Sequence, residues 1–180
     1  DVCICGGAES KTNPMAMTRP HLFGRVNTND NDRPERASRP FAADRAGSAL
    51  SDGGGLVILE ALDHARARSA KIYGEIVGFG AGSNASSWSA PDPSGRAIAI
   101  ALRKALADAG TRADRVDLVA PFGTGTRNYD AAEAAAWNEV FGARLSEIPA
   151  MTTRGAIGVN GAGTGAIDFA ATVMALARNT

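Results

Sequence analysis

Val2-Cys3-Ile4-Cys5 opens the chain as a short apolar run, and Gly6-Gly7 ends it, so residues 1–5 are expected to form a buried strand. Leu56-Val57-Ile58-Leu59, led in by Gly53-Gly54-Gly55, predicts a second. Ile72 to Val77, Val116 to Pro121 and Pro149 to Thr153 predict three more. Between them the apolar positions switch to helical spacing. Residues 61–69 read as a short helix. Ile98, Leu102, Ala105, Leu106 and Ala109 mark an amphipathic helix over 95–109, stopped by Gly110. Asp130 followed by Glu133 resembles a capping box and opens a helix to Phe141. Ala166 to Ala177 is the last helix. Residues 10–50 lack periodicity and carry Pro14, Pro20, Pro34 and Pro40, which predicts a long excursion holding one short helix. Residues 83–94, with Trp88, Pro91 and Pro93, form another loop. Strands alternating with helices predict an α/β layered fold.

Composition narrows the function classes. The 180 residues carry 19 basic and 19 acidic side chains, so net charge gives no pull toward nucleic acid or an anionic membrane. No apolar run approaches the ~20 residues that a membrane span needs. Two cysteines are too few for a disulfide framework, and a reducing, cytoplasmic setting is the default expectation. Glycine is abundant at 21 residues while aromatics are only 6%, which points to tight turns and close backbone contacts. The chain opens directly on a strand without a start Met and closes straight after a helix. Both ends are expected to be cuts within a longer protein.

The residues offer few catalytic groups. Cys3 and Cys5 share one strand face, and buried structural thiols are expected there rather than a metal site. His21 lies in the Pro-rich excursion. His64 sits beside Arg66 and Arg68, where a solvated face is expected. Neither histidine has a nameable nucleophile or orienting acid. Gly161-Ala162-Gly163-Thr164-Gly165-Ala166 has the outline of a dinucleotide fingerprint, and Gly78-Phe79-Gly80-Ala81-Gly82 is a similar glycine run. Close strand–helix packing explains both without a cofactor, and a dinucleotide-binding domain remains the alternative. Phe122-Gly123-Thr124-Gly125-Thr126 follows a strand and suits either a polar ligand or a helix cap.

Taken in order, several segments resemble the β-ketoacyl synthase family. They are Gly6-Gly7-Ala8-Glu9; Arg39-Pro40-Phe41 with Arg45 and Gly47; Asp52 to Glu60; Ala70 to Gly78; Ala90-Pro91-Asp92-Pro93; Phe122 to Thr126 with Asp130 and Glu133; and Thr152-Thr153-Arg154 through Gly158 and Gly165. The resemblance implies a thiolase-like layered α/β/α/β/α fold. It implies that residues 1–180 hold the end of the N-terminal half-fold and most of the C-terminal half-fold, without the nucleophilic-cysteine segment. It further implies acyltransferase chemistry on a phosphopantetheine arm of an acyl carrier protein, with no permanently bound cofactor, and a ketosynthase homo- or heterodimer partner.

Departures from the family pattern shape the expected role. Phe122 stands where the family's H-G-T-G-T motif has histidine, and Val159 where its G-H motif has histidine. Neither can donate a hydrogen bond, and losing one such donor costs about 10²–10³ in rate. Arg154 takes the motif lysine's place and Asp168 the glutamate's, which predicts a structural ion pair. Thr124 and Thr126 match threonines that contact the pantetheine arm. Intact scaffold with lost donors resembles chain-length-factor subunits, which shape the acyl cavity of a partner ketosynthase. An active 3-oxoacyl synthase with altered chemistry is the alternative.

Overall fold

The computed structural model describes residues 1–178 apart from Ser86 and Trp88. The order is β1 (Val2–Glu9), α1 (Pro14–Leu22), β2 (Gly53–Glu60), α2 (Leu62–Ala67), α3 (Arg96–Asp108), α4 (Arg127–Phe141), α5 (Arg154–Ile157) and α6 (Thr164–Arg178). Single 3₁₀ turns lie at Pro34–Arg36, Ala113–Arg115 and Gly161–Gly163, and a longer one at Gly142–Glu147. The architecture is α/β, as expected, and the expected helices form with small changes of boundary.

β1 and β2 pair antiparallel, with Val2 opposite Glu60 and Glu9 opposite Gly53. Alternation assigns the faces. Cys5, Gly7, Glu9, Gly53, Gly55 and Val57 share one side. A Cβ on Gly55 would meet Ala166 and Ile167, and one on Gly7 would meet Ala162 O at 2.7 Å. Glycine here lets α6 and its leading turn lie directly on the strands. Val2, Ile4, Leu56 and Ile58 point to the opposite side and are exposed. An apolar face of this kind belongs under another layer.

Both strands are longer than the apolar runs implied. Gly53-Gly54-Gly55, read as a lead-in, pairs with Gly7-Ala8-Glu9 inside the ladder. The other three expected strands are corrected: none joins a ladder among the described residues. Val119 makes one isolated parallel bridge to Ala150, through Val119 N to Pro149 O and Met151 N to Val119 O, both 3.0 Å. Ile72 to Val77 has β-forming residues but no neighbouring strand to pair with, and a strand is defined by its partner. Trp88, Asn179 and Thr180 lie outside the described residues.

The glycine run 78–82 packs on α3 instead. Added Cβ atoms would collide with Ala105 O and Ala109 from Gly78, Ala101 O from Gly80, and Ala97 O from Gly82. Two residues of extended chain advance about 6.6 Å and four of helix about 6 Å, so the steps match and the segments run antiparallel. The absence of side chains is therefore a packing requirement.

α3 and α4 meet through alanines: Ala99, Ala132 and Ala136 are buried. Beside them Val119, Phe141 and Ile148 form a core flanked by Leu102, Val116 and Trp137. The Trp137 and Phe141 rings stack with centroids 5.5 Å apart.

The thiol expectation is corrected too. Cys3 is exposed and Cys5 half-buried, because α6 covers the Gly7 end of that face more fully than the Cys3 end. The Sγ atoms lie 3.4 Å apart, and the contact with Cys3 pushes the Cys5 thiol pKa up.

Candidate functional site

Residues 122–126 link the Val119 bridge to α4, and two buried carboxylates hold them. Asp130 has no exposed surface. It accepts the amides of Thr124 at 2.8 Å, Gly125 at 3.1 Å and, from the distant excursion, Phe41 at 2.9 Å. Arg45 Nε lies 3.4 Å from it. Glu133 accepts the amides of Phe122 at 2.6 Å and Gly123 at 2.9 Å. Burial pushes the Glu133 pKa up.

These contacts correct the capping-box reading. The helix begins at Arg127, and Asp130 and Glu133 lie within its first two turns. Their side chains reach back to the preceding loop, whose buried amides would otherwise lack acceptors. The sequence reading had named neither as a site residue. The signal was available in the D-x-x-E spacing after the glycine–threonine loop.

The excursion wraps this loop. Gly47 N donates to Gly125 O at 3.0 Å, and Ser48 Oγ to Thr124 O at 2.5 Å. Phe41 holds a left-handed φ of 62°, uncommon for an aromatic residue, fixed by the hydrogen bond that its backbone N–H donates to Asp130. Gly123 lies so close to Phe41 and Pro40 that a Cβ would sit 3.0 Å from each. The resemblance segments Arg39-Pro40-Phe41 and Arg45-x-Gly47 thus form one clasp around residues 122–126.

Thr124 and Thr126 are brought together and buried, their hydroxyls 2.7 Å apart. Thr124 Oγ1 donates to Asp130 at 3.1 Å and accepts the Thr126 amide at 3.1 Å. With that proton committed, Thr126 donates to Thr124. A ligand reaching Thr126 then meets an acceptor, which suits an incoming N–H. A cleft of about 330 Å³ opens beside Thr126, between Arg25, Ser89 and Tyr129. The Arg25 guanidinium lies 5.1 Å from both the Phe23 and Tyr129 rings and donates to Ser89 O at 2.5 Å.

Arg154 and Asp168 also come together. Arg154 is fully buried, its Nη2 donates to Asp168 on α6, and its Nη1 donates to Thr153 Oγ1 at 2.7 Å. Thr153 Oγ1 in turn donates to Asp168 at 2.6 Å. The Phe122 ring centroid is 5.1 Å from the guanidinium carbon. Val159 lies apart in its backbone bonding: its N donates to Ala49 O at 2.8 Å and its O accepts Ser51 N at 3.1 Å.

The glycine fingerprint has an internal occupant. Ala162 N donates to Glu9 Oε2 at 2.7 Å, and Lys11 pairs with the same carboxylate. Lys11, then this amide, hold the Glu9 pKa below its usual range. Gly163 abuts Gly53 and Gly54 backbone. A dinucleotide phosphate would have to displace both a bound carboxylate and strand backbone. His64 is half-exposed and contacts Glu60, which also accepts both Nε and Nη2 of Arg68. His21 lies in the last turn of α1, on the surface. Among the described residues, no group of three His, Cys, Asp or Glu could hold a metal and no helix is long and apolar enough to cross a membrane.

Comparison with known proteins gives the geometry a family context. The profile described as "Beta-ketoacyl synthase, C-terminal domain" matches residues 73–180, and that of the N-terminal domain matches residues 1–65. The chain is 36% identical over 179 residues to 3-oxoacyl-[acyl-carrier-protein] synthase 2 of Rhizobium meliloti (strain 1021), covering 99% of this chain and 42% of that protein. A type II polyketide synthase acyl-carrier protein in complex with its ketosynthase bound to the hexaketide matches with a TM-score of 0.93 at 27% identity, covering 97% of this chain and 43% of that one. The ishigamide ketosynthase/chain length factor matches with a TM-score of 0.86 at 31% identity, over 97% and 40%. The chain thus spans less than half the length of the relatives it matches.

Proposed function

The chain belongs to the β-ketoacyl synthase family, and from that premise we propose that it is part of a non-condensing, chain-length-factor-like subunit that shapes the acyl cavity of a partner ketosynthase. One observation carries this reading. Phe122 occupies the histidine position of the glycine–threonine motif, and its ring rests on Arg154 instead of presenting a donor. Val159 likewise offers no donor at the second histidine position. Condensation through malonate decarboxylation needs hydrogen bonds to the thioester oxygen as the enolate forms. An apolar ring in that place makes a wall.

The remaining parts suit such a role. Residues 1–65 make up the end of an N-terminal half-fold and residues 73–180 most of a C-terminal one. Thr126, presenting an acceptor beside the cleft, would receive a pantetheine amide from an acyl carrier protein. The phosphopantetheine arm is a visiting substrate arm; no resident cofactor is required. The setting is fatty-acid or polyketide synthesis in the cytoplasm. Similarity to a 3-oxoacyl synthase favours a second reading, an active synthase with altered site residues.

The experiment is to purify the intact protein with a co-expressed ketosynthase and analyse its products. The reading expects a 1:1 heterodimer whose product-length distribution shifts when Phe122→Trp narrows the cavity. A complex that forms yet keeps its product distribution would count against it.

A further inference from the structure

Cys3 and Cys5 are the two cysteines of the chain, and both stand on β1. The strand period of two puts them on one face, and the β2 residues opposite them are Leu59 and Val57. Between these apolar neighbours the thiols face each other. Their Sγ atoms are 3.4 Å apart, and Cys3 Sγ also lies 3.8 Å from Ile4 O. Cys3 is exposed and Cys5 half-buried, so the pair opens outward at the Val2 end of the strand, away from the turn that closes over Gly7.

The separation selects the chemistry. A direct S–S bond of about 2.05 Å would draw the sulfurs together by about 1.4 Å, across a strand advance of about 6.6 Å that is near the upper limit for bridged Cα atoms. A single atom bound to both at about 2.3 Å, the length of a metal–thiolate bond, closes at about 95° with the sulfurs where they stand. Tetrahedral zinc would spread them to about 3.8 Å and needs two further ligands. Among the described residues, no group of three His, Cys, Asp or Glu supplies those. A nearly right-angled centre is instead that of a trivalent, pyramidal atom with a lone pair, which two thiolates and one substituent complete.

The geometry points to Cys3 and Cys5 as a chelating dithiol site for trivalent arsenicals that carry one carbon substituent. Capture makes two As–S bonds and breaks the bond from arsenic to oxygen. The two thiol protons leave with that oxygen as water. Arsenic stays trivalent, so no oxidant or reductant is consumed. Contact with Cys3 pushes the Cys5 thiol pKa up, so Cys5 brings its proton to this exchange. The second As–S bond forms within one complex, which raises affinity about 10²–10⁴-fold over a single thiol. The site shares no residue with the glycine–threonine loop and stands apart from the reading of Phe122.

The test adds phenylarsine oxide to the folded, intact protein and maps the product by mass spectrometry. Expected is one adduct on the peptide that holds Cys3 and Cys5, heavier by the arsenical less one water. Excess glutathione, a monothiol, should leave it in place, and 2,3-dimercaptopropanol should remove it. Cys3→Ser and Cys5→Ser should each weaken capture at least about a hundredfold. A folded wild type without this adduct, capture only after denaturation, or a monothiol-labile adduct overturns the site. So does a serine variant that keeps the wild-type affinity. If a serine variant does not fold, Cys3→Ala or Cys5→Ala decides by the same comparison.

Discussion

Arg154, without exposed surface, donates to Asp168 across the gap between α5 and α6. The residues stand 14 apart in sequence, and Thr153 bonds to both. Removing one member of a buried pair strands the other charge, which costs about 3–5 kcal/mol. Asp168→Ala should lower the unfolding free energy by that order, and Asp168→Glu by much less. A melting temperature unchanged in Asp168→Ala would show that the pair is not structural.

Asp130 ties the excursion to the glycine–threonine loop by accepting amides from Phe41, Thr124 and Gly125. Asparagine has one acceptor oxygen and brings an NH₂ group toward donors. Asp130→Asn should destabilise by about 1–3 kcal/mol, read from a urea transition. It should also expose the 40–47 segment to proteolysis, since Phe41 loses the bond that holds its strained φ.

Gly80 faces Ala101 O so closely that a Cβ would overlap it. Gly80→Ala should therefore cost about 1–3 kcal/mol by overpacking. Gly165 sits in α6 with nothing near its missing Cβ. Gly165→Ala should be neutral or stabilise by up to about 1 kcal/mol through helix propensity. Equal effects of the two in thermal melts would contradict the packing argument.

Two of the carboxylates whose pKa values are lowered contribute most to the acid limb of stability. Thr12, through its hydroxyl and amide, lowers the Asp52 pKa from 3.8 to about 2. Arg68 and then His64 lower that of Glu60 from 4.5 to about 2. A depressed native pKa means that the unfolded chain binds the proton first. Their contribution is thus present above the ordinary carboxylate range and lost as pH falls toward 2. Asp52→Asn should flatten the stability-versus-pH curve between about pH 4 and 2. An unaltered slope would exclude Asp52 as a contributor.

How far the sequence carried depended on whether the information was local. Apolar period and glycine stops located α3 and α6 to within a few residues, because helices close their own hydrogen bonds. Ile72 to Val77 has the composition of a strand, but its ladder depends on a neighbour that composition does not encode. The ion pair of Arg154 with Asp168 was legible from matched replacements at two motif positions. The contact of the Phe122 ring with Arg154 was not, since it needs the 122–126 loop and α5 placed in space. Glu9 at the Ala162 amide, 153 residues away, was equally out of reach, and it occupies the loop amide that the dinucleotide reading would use. Asp130 and Glu133 were visible as a spacing and misread as a cap, because the same D-x-x-E pattern serves both purposes.

In the proposed role, position 122 supplies a wall where a condensing enzyme needs a donor. The direct measurement is β-ketoacyl product formation from acyl- and malonyl-carrier protein by the intact protein, alone and with a co-expressed ketosynthase. The account predicts no product from the protein alone and chain-length-defined product from the pair. Condensation by the protein alone, at a rate comparable to the pair, would contradict it.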